Sequence, residues 1–366
     1  MLPMKITIQK KNQITTPGVH DSMFPGAALL PDGRILLLYN SGSGFEASDC
    51  QMYKAFSSDA GESWQFDGLM YDIKDTPFDL PYTDCVKPTV LDNGEILAAG
   101  YGYLRDEPEM GISDYAEKYG RFPKVKNHTL RSKDNGRTWS RLEVIDHPFE
   151  GLELSGPAIK GLDGKLHFFA APFVLKSEMQ TGLTYESSDN GKTWQRTGNF
   201  FESPDIAPWE VRGIQLDSGR IVLILWVFDL KKQSHCNTTI VWSDDYGKTW
   251  SKPFDTGLRG QASNMLIYND ELYLLQARRE GDKPGIYLNK VTFDGKDNAI
   301  VHEDNCIWDA AGQANQGSRI EQQFVTMRFG QPSALRLKNG EYILFFWYCD
   351  AESYYSVQAW KFTLEE

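Results

Sequence analysis

One eight-residue pattern, Ser-x-Asp-x-Gly-x-Ser/Thr-Trp, occurs four times in the sequence and constrains its fold more than any other feature. In a tight hairpin turn, the Asp carboxylate can accept hydrogen bonds from backbone N–H groups, and the Gly supplies a residue with positive φ. The Trp that follows would pack between sheets. The pattern predicts equivalent turns between antiparallel strands. Its copies are Ser57–Trp64, Ser132–Trp139, Ser187–Trp194 and Ser243–Trp250.

A second pattern, two apolar strands joined by a turn around Asp or Asn and Gly, occurs six times. Such pairs predict β-hairpins, and their period of roughly 50–70 residues is typical of a radial array of sheets. The sequence therefore predicts an all-β fold: a six-bladed β-propeller of four-stranded antiparallel blades, in a single domain spanning residues 1–366. The turns lie at Gly33, Gly94, Gly164, Gly219, Asp270 and Gly340.

The N-terminus is predicted to complete the last blade. The first blade begins with its inner strand, so the last blade needs a strand from elsewhere in the chain. Lys5–Gln9 alternates polar and apolar residues and is predicted to pair with Val357–Leu364. This pairing would leave no free sheet edge. The irregular segment from Tyr101 to Val125 is predicted to be a loop or a short helix over one face.

The composition argues against several partners. The chain has 38 basic and 50 acidic residues and a net charge of −12, whereas nucleic acids and anionic membranes bind basic surfaces. The scattered cysteines predict free thiols, and no His or Cys cluster has metal-ligand spacing, which argues against a zinc site built by the protein. Because residues 1–5 lack the features of a secretory signal, the protein is predicted to be cytoplasmic, or secreted or periplasmic if a signal peptide has been removed.

The repeated motif resembles the Asp box, or BNR repeat, of the sialidase (neuraminidase) superfamily. With six blades, the resemblance covers essentially the whole chain. Asp boxes lie at the periphery of the propeller, which implies a structural role for the Asp residues of the motifs. Family sialidases use a Phe-Arg-Ile-Pro segment, a Glu that activates a nucleophilic Tyr, two further arginines and an Asp acid/base. The resemblance implies a carbohydrate-active propeller without a metal or organic cofactor.

Several of these family positions hold other residues here. Met23 replaces the first arginine, and Gln331 stands in place of the nucleophilic Tyr. Trp226 stands where a second arginine is expected, while Glu210 occupies the place of the activating Glu, before the inner strand of blade 4. The loss of two arginines and the nucleophile does not fit an ordinary sialidase.

The remaining family positions have two candidates each. Arg278 or Arg279 matches the third arginine, and Asp49 or Glu46 lies in the blade 1 loop that carries the acid/base. The sequence does not decide between the members of either pair.

Glycoside hydrolysis needs one carboxylic acid to protonate the leaving oxygen and a second carboxylate as nucleophile or base. Glu210 and Glu153 are predicted to form this pair, with their roles unassigned, and Asp84 is the next choice. Residues near the start of each inner strand and the end of each second strand converge on one mouth of a propeller, where ligands bind. The exo-arabinanases, a related branch of six-bladed hydrolases, look like a similar case, in which two carboxylates replace the Tyr–Glu pair of the sialidases.

Basic and aromatic residues at the same mouth are predicted to bind the substrate. Arginines hold carboxylates bidentately, which would select an acidic sugar such as a sialic or uronic acid, and aromatic rings stack on sugars. The predicted substrate-binding residues are Arg105, Arg212, Arg278, Arg328, Trp209, Trp226, Tyr103 and Gln331.

The sequence thus predicts an exo-acting glycoside hydrolase that cleaves a terminal sugar from a glycan or small saccharide. Two alternatives remain open. A polysaccharide lyase acting on a uronate would need a base such as Tyr103 or His128 near the arginines. A non-catalytic propeller that binds carbohydrate or protein would lack two carboxylates within reach of one bond. The oligomeric state is left open.

Overall fold

The computed structural model describes residues 4–173, 178–295, 298–315, 323 and 326–365 of the 366-residue chain. Its strands form six antiparallel sheets, each built on a path of four strands, and the fold is a six-bladed β-propeller. The fold class predicted from the two repeated patterns is confirmed. That the whole chain forms a single domain stays a prediction.

The first strand, β1 (Lys5–Ile14), precedes the first two blades. Blade 1 consists of β2 (Asp21–Leu29), β3 (Ile35–Gly42), β4 (Gln51–Ser57) and β5 (Gln65–Leu69). A 3-10 turn at Ile73–Asp75 leads to blade 2, which consists of β6 (Tyr82–Val90), β7 (Ile96–Leu104), β8 (Val125–Ser132) and β9 (Glu143–Val144). The irregular segment between β7 and β8 contains the helix α1 (Ile112–Tyr119), as predicted.

Blades 3 and 4 each carry one extra short strand. Blade 3 consists of β10 (Leu152–Glu153), β11 (Ile159–Lys160), β12 (Leu166–Pro172), β13 (Gln180–Ser187) and β14 (Gln195–Ser203), and β11 pairs with β12. Blade 4 consists of β15 (Ile206–Gln215), β16 (Ile221–Asp229), β17 (Ser234–His235), β18 (Thr239–Ser243) and β19 (Phe254–Asp255), and β17 pairs with β16.

The last two blades include the predicted closure by the N-terminus. Blade 5 consists of β20 (Gln261–Tyr268), β21 (Glu271–Arg278), β22 (Gly285–Asp294) and β23 (Asn298–Asp309). Blade 6 consists of β24 (Phe329–Arg336), β25 (Tyr342–Cys349), β26 (Tyr355–Glu365) and β1, in the order β1-β26-β25-β24. The predicted pairing of the first strand with the last is confirmed.

The Ser-x-Asp motifs form turns with the same hydrogen bonds. In each, the Ser Oγ accepts the Gly N–H at 2.8 Å and donates to the Asp Oδ1 at 2.7–2.8 Å. The carboxylate also accepts the backbone N–H four residues after the Asp, at 2.8–3.0 Å. Hydrogen bonds from Ser63 lower the pKa of Asp59 to about 2. The predicted turns are confirmed, and each carboxylate is used within its own turn.

The contacts divide the chain into two compact units, and unit 1 contains Ala158–Ser333 with the first and last few residues of the chain. Its core is built around β16, every residue of which is buried. Because side chains alternate between the two faces of a strand, β16 supplies two clusters. Ile221, Leu223, Leu225 and Val227 pack with residues of β12 and β14, whereas Val222 and Ile224 pack with residues of β20 and β21.

Unit 2 contains Thr7–Pro157 and Ala334–Thr363, and its core repeats this arrangement around β3. One face of β3 packs against β25 and the other against β6 and β7, which is why the strand is apolar at consecutive positions. Ile35, Leu37 and Tyr39 pack with Ile343 and Phe345, whereas Leu36 and Leu38 pack with Val86 and Ile96.

Three inner strands contain a β-bulge at corresponding places. The register shifts between Met23 and Gly26 in β2, between Trp209 and Arg212 in β15, and between Gln261 and Asn264 in β20. A residue within each bulge has positive φ, as does one residue of β24, and we call these four the bulge residues. They are Phe24 (54°), Glu210 (45°), Ala262 (49°) and Gln331 (48°). None is Gly, so each conformation costs on the order of 1–3 kcal/mol and is held by its surroundings.

The five cysteines all lie in the described part of the chain, and none of them forms a disulfide. No helix in the described part of the chain is long and apolar enough to cross a membrane.

Candidate active site

Unit 1 brings together Glu210 and Gln331, which are 121 residues apart in the sequence. Gln331 Nε2 donates to both carboxylate oxygens of Glu210, at 3.3 Å to Oε1 and 3.2 Å to Oε2. The family resemblance gives these residues the positions of the activating Glu and the nucleophilic Tyr, and the structure brings those two positions into contact. The expectation that Glu210 precedes the inner strand is wrong, because strand pairing continues past the bulge and leaves Glu210 inside β15.

Two arginines lie near the Glu210 carboxylate. Arg212 Nη2 donates to Glu210 Oε2 at 3.1 Å, and the two side chains are 5% and 13% exposed. Arg279 donates from Nε to the Phe329 carbonyl at 2.7 Å. Burial lowers the pKa of Arg279 to about 10, and the negative charge of Glu210 opposes this shift. Glu210 is therefore a fixed carboxylate in a positively charged environment.

A chain of polar contacts extends from Trp226. Its Nε1–H donates to His235 Nδ1 at 2.9 Å, so His235 accepts at Nδ1 and carries its proton on Nε2. That Nε2–H donates to Gln323 Oε1 at 2.6 Å. Burial lowers the pKa of His235, with the Glu280 carboxylate, 3.8 Å away, acting in the opposite direction. The neutral form of His235 is thus the one that satisfies its neighbours.

The tryptophans predicted to stack on a sugar are packed against other rings. Trp209 stacks on Phe228 with the ring centroids 4.7 Å apart, and Trp226 stacks on His235 at 5.4 Å. Trp209 is 9% exposed and Trp226 is 3% exposed. The two rings are therefore packed in the protein and are not open to a ligand.

The remaining arginines of unit 1 differ in their surroundings. Arg278 donates to Gln276 Oε1 and Asn289 Oδ1, both at 3.1 Å, and its guanidinium lies 4.2 Å from the centre of the Tyr287 ring. The sequence left Arg278 and Arg279 as alternatives for the third family arginine. Of these two, Arg279 is the one that interacts with Glu210. Arg328 is half-buried directly before β24.

In unit 2, Arg105 and Glu46 hold the segment that carries α1. Arg105 is 2% exposed. Its guanidinium donates to the carbonyl of Glu46 at 2.9 Å and to that of Met110 at 2.6 Å. The Glu46 carboxylate accepts the Ser113 Oγ–H at 3.3 Å, in the first turn of α1. Burial raises the pKa of Glu46 to about 7, although Arg105 and Ser113 act in the opposite direction. Glu46 therefore keeps its proton to a higher pH than an ordinary glutamic acid does.

The alternative to Glu46 in this loop, Asp49, has a local structural role. Its carboxylate accepts the Ser43 N–H at 3.0 Å and the Ser43 Oγ–H at 2.9 Å. The sequence could not separate the two acids, since the difference arises from the burial of Glu46 and the turn around Asp49.

Asp84 lies within blade 2 in a buried chain of polar groups. Its Oδ2 is 2.9 Å from His128 Nε2, and both side chains are fully buried. His128 Nδ1 is 2.8 Å from the Tyr82 hydroxyl. A carboxylate with no exposed surface does not touch a substrate in this conformation, and the same burial applies to His128, the base considered for a lyase.

The last two predicted site residues also belong to unit 2. Glu153 is at the end of β10 and is 8% exposed. Tyr103, in β7, is half-buried and packs edge-on against Tyr101 with the centroids 5.8 Å apart. Within the described ranges, no group of three or more His, Cys, Asp or Glu residues is arranged to hold a metal ion.

No protein-family model matches the sequence, and no similar sequence is found among curated proteins. Solved structures are similar over nearly the whole chain. A crystal structure of a protein of unknown function from Dyadobacter fermentans is 16% identical, with a TM-score of 0.73 over 98% of this chain and 99% of that one. The NanB sialidase from Streptococcus pneumoniae is 13% identical, with a TM-score of 0.64 over 98% of this chain and 70% of that one.

A third similar structure is a mutant of an α-L-arabinofuranosidase, arb93a, from Fusarium graminearum. It is 11% identical, with a TM-score of 0.64 over 97% of each chain. At such low identity these similarities show the fold, and the chain shares the six-bladed β-propeller with a sialidase and an arabinofuranosidase.

Proposed function

We propose that this protein is a glycoside hydrolase that removes a terminal sugar from a glycan or small saccharide, and that Glu210 is its nucleophile or base. The observation that carries the proposal is the setting of Glu210, a strained bulge residue whose carboxylate oxygens are held by Arg212 and Gln331. A reacting group held in one direction needs no reorganisation before the bond-breaking step. The shared fold with a sialidase and an arabinofuranosidase supports this class of reaction.

The role of nucleophile or base fits the neighbours of Glu210, because guanidinium groups form charge-assisted hydrogen bonds with a carboxylate. Hydrolysis also needs a carboxyl that holds its proton until it protonates the leaving oxygen. Glu153 is the partner predicted from the sequence. Glu46 is the second candidate, because the sequence places it in the blade 1 loop that carries the acid/base in family sialidases. Mutagenesis of both residues distinguishes them.

The bonds of the arginines favour a neutral sugar over an acidic one. Arg212 is bonded to Glu210, Arg278 to two side-chain amides, and Arg105 to two backbone carbonyls. A substrate carboxylate would have to compete with these partners for the guanidinium groups. We therefore propose that the terminal sugar is neutral.

The test is hydrolysis of a panel of aryl glycosides of neutral sugars, uronic acids and sialic acid by the wild type and three variants. Glu210→Gln is expected to lower kcat by about 10²–10⁴-fold, and the variant that lacks the proton donor, Glu153→Gln or Glu46→Gln, by a similar factor. Glu186→Gln is the matched control, because Glu186 forms an ion pair with Lys165 on blade 3 and is given no catalytic role.

Thermal unfolding of each variant separates lost chemistry from lost structure. Full activity in a folded Glu210→Gln variant would refute the role of Glu210. No turnover of any aryl glycoside by the wild type would refute hydrolysis and favour a non-catalytic binding propeller.

A further inference from the structure

Four aromatic residues of unit 2 form a cluster around the bulge of β2. Phe24 lies 5.6 Å from Phe45 and 5.9 Å from Trp347, measured between ring centroids. Phe45 in turn lies 5.5 Å from Tyr355. Trp347 is 1% exposed and forms the floor, whereas the other three residues are half-buried and present part of their surface to solvent.

We propose that Phe24, Phe45 and Tyr355 form a stacking surface for the apolar face of a sugar ring. The choice of a sugar as the ligand rests on the proposed function. The surface itself rests on geometry within unit 2, and we call these three residues the aromatic surface.

Charged side chains hold the backbone at Phe24 and Tyr355 and directly after Phe45. Lys87 Nζ donates to the carbonyls of Phe24 at 2.7 Å and Pro25 at 2.9 Å. The Tyr355 N–H donates to Asp21 Oδ1 at 3.0 Å. Next to Phe45, the Glu46 carbonyl accepts the Arg105 guanidinium at 2.9 Å.

These three charged residues are themselves almost completely buried: Lys87 is 5% exposed, Asp21 is 3% exposed and Arg105 is 2% exposed. Burying charges is costly, and both Phe24 and Glu46 also have positive φ, at 54° and 57°. Aromatic rings that only cover the protein core do not need buried charged residues to fix the backbone beside them. Support of this kind is typical of a preorganised binding site.

Phe24 also occupies in β2 the bulge position that Glu210 occupies in β15. In unit 1 the bulge residues Glu210 and Gln331 turn their side chains toward one another, where they make the contact on which the proposed function depends. The corresponding bulge position of β2 holds the phenyl ring of Phe24.

The size and the rim of the aromatic surface favour a small ligand. Three half-buried rings fall well short of the about 800 Å² per partner of a standard protein interface. A polar residue adjoins the rings, because Glu46 directly follows Phe45 in the chain. Aromatic rings with a few polar groups beside them are typical of small-molecule sites.

The test is saturation-transfer NMR, in which protein aromatic protons are irradiated and the transfer is read on the methyl glycosides of arabinose, galactose and glucose. These probes have no aromatic protons of their own. For the wild type, transfer is expected to be strongest to the C–H protons of one ring face. Phe24→Ala and Phe45→Ala are each expected to raise Kd by about 2–12-fold, the range of a single aromatic contact.

Phe66→Ala is the matched control, since Phe66 lies on β5 with 38% exposure and outside the aromatic surface, and its Kd is expected to equal that of the wild type. Phe45 lies outside the strands, so Phe45→Ala keeps the test valid if Phe24→Ala fails to fold. Lys87→Met tests whether Lys87 positions Phe24. The variant keeps every ring of the aromatic surface and is nevertheless expected to raise Kd.

Unchanged Kd in both Phe variants, or no transfer to any probe from the wild type, would overturn the proposal. A dimer seen by light scattering that Phe24→Ala dissociates would identify a second copy of the chain as the occupant, and would also overturn it. Sugar binding without turnover would support the aromatic surface and overturn the proposed hydrolase activity. Turnover with unchanged Kd in the Phe variants would support the hydrolase activity and overturn the aromatic surface.

Discussion

Glu46 should make the stability of the protein depend on pH. Its pKa is raised from 4.5 to about 7 by burial, against the opposing effects of Arg105 and Ser113. Between these two values the folded protein binds more protons than the unfolded chain at this residue. The unfolding free energy therefore falls as the pH rises from 4.5 to 7, and this contribution is constant outside that window.

The size of the effect follows from the same two values. A difference from 4.5 to about 7, at about 1.4 kcal/mol for each pH unit, amounts to about 3 kcal/mol. Glu46→Gln keeps the shape of the side chain and an acceptor for Ser113 but removes the titration. We expect the variant to match the wild type at pH 4 and to be up to about 3 kcal/mol more stable at pH 8.

The assay is chemical denaturation of the wild type and Glu46→Gln across pH 4–8, with the difference between them plotted against pH so that other titrating groups cancel. Amide exchange in α1, corrected for the intrinsic rate, would show whether the effect is local to the segment that Glu46 holds. Glu109→Gln is the control, because Glu109 is an exposed residue of the same segment. A constant difference between wild type and Glu46→Gln at all pH values would refute the reasoning.

Three further predictions concern stability. Gly26→Ala should destabilise the protein by about 1–3 kcal/mol, because its Cβ would lie 2.7 Å from the Lys87 Cδ, whereas Gly44→Ala, with nothing within 4 Å, should be neutral in the same thermal unfolding experiment. Burial lowers the pKa of His235 below 6.5, so its contribution to stability is complete above pH 6.5 and is lost as the pH falls further. The imidazole NMR signals should titrate with a midpoint below pH 6.5, and a midpoint at or above 6.5 would contradict this. Ser132→Ala should cost about 1–3 kcal/mol by leaving the N–H of its turn glycine unsatisfied, and equal stability of this variant and the wild type in urea would argue against the role of the turn.

The fold was predictable because the repeats record it directly. The Gly in each Ser-x-Asp turn and the apolar runs of β3 and β16 are consequences of local geometry and of burial on both faces, and both are visible in one sequence. The short helix α1 was predicted only as one of two possibilities, because an eight-residue helix held from outside by Arg105 and Glu46 has little periodicity of its own.

The candidate site was less predictable, because it depends on contacts that the sequence does not record. Glu210 and Gln331 could be matched to family positions, but their positive φ angles have no signal in residues that are not Gly. Arg278 and Arg279 are neighbours in sequence with different surroundings, and only the structure shows which one interacts with Glu210. The burial of Asp84 against His128 depends on pairing across blade 2 and is likewise invisible in the sequence.

The two-sided burial of β3 and β16 has a consequence for how such a chain can evolve. Odd and even positions of each strand pack into different clusters, so each strand carries two interleaved sets of requirements, one for each neighbouring layer. A duplicated or exchanged blade would have to satisfy both sets at once, whereas a change confined to alternate residues disturbs a single boundary. Variation in these strands should therefore be correlated at every second residue, with each set following a different neighbour.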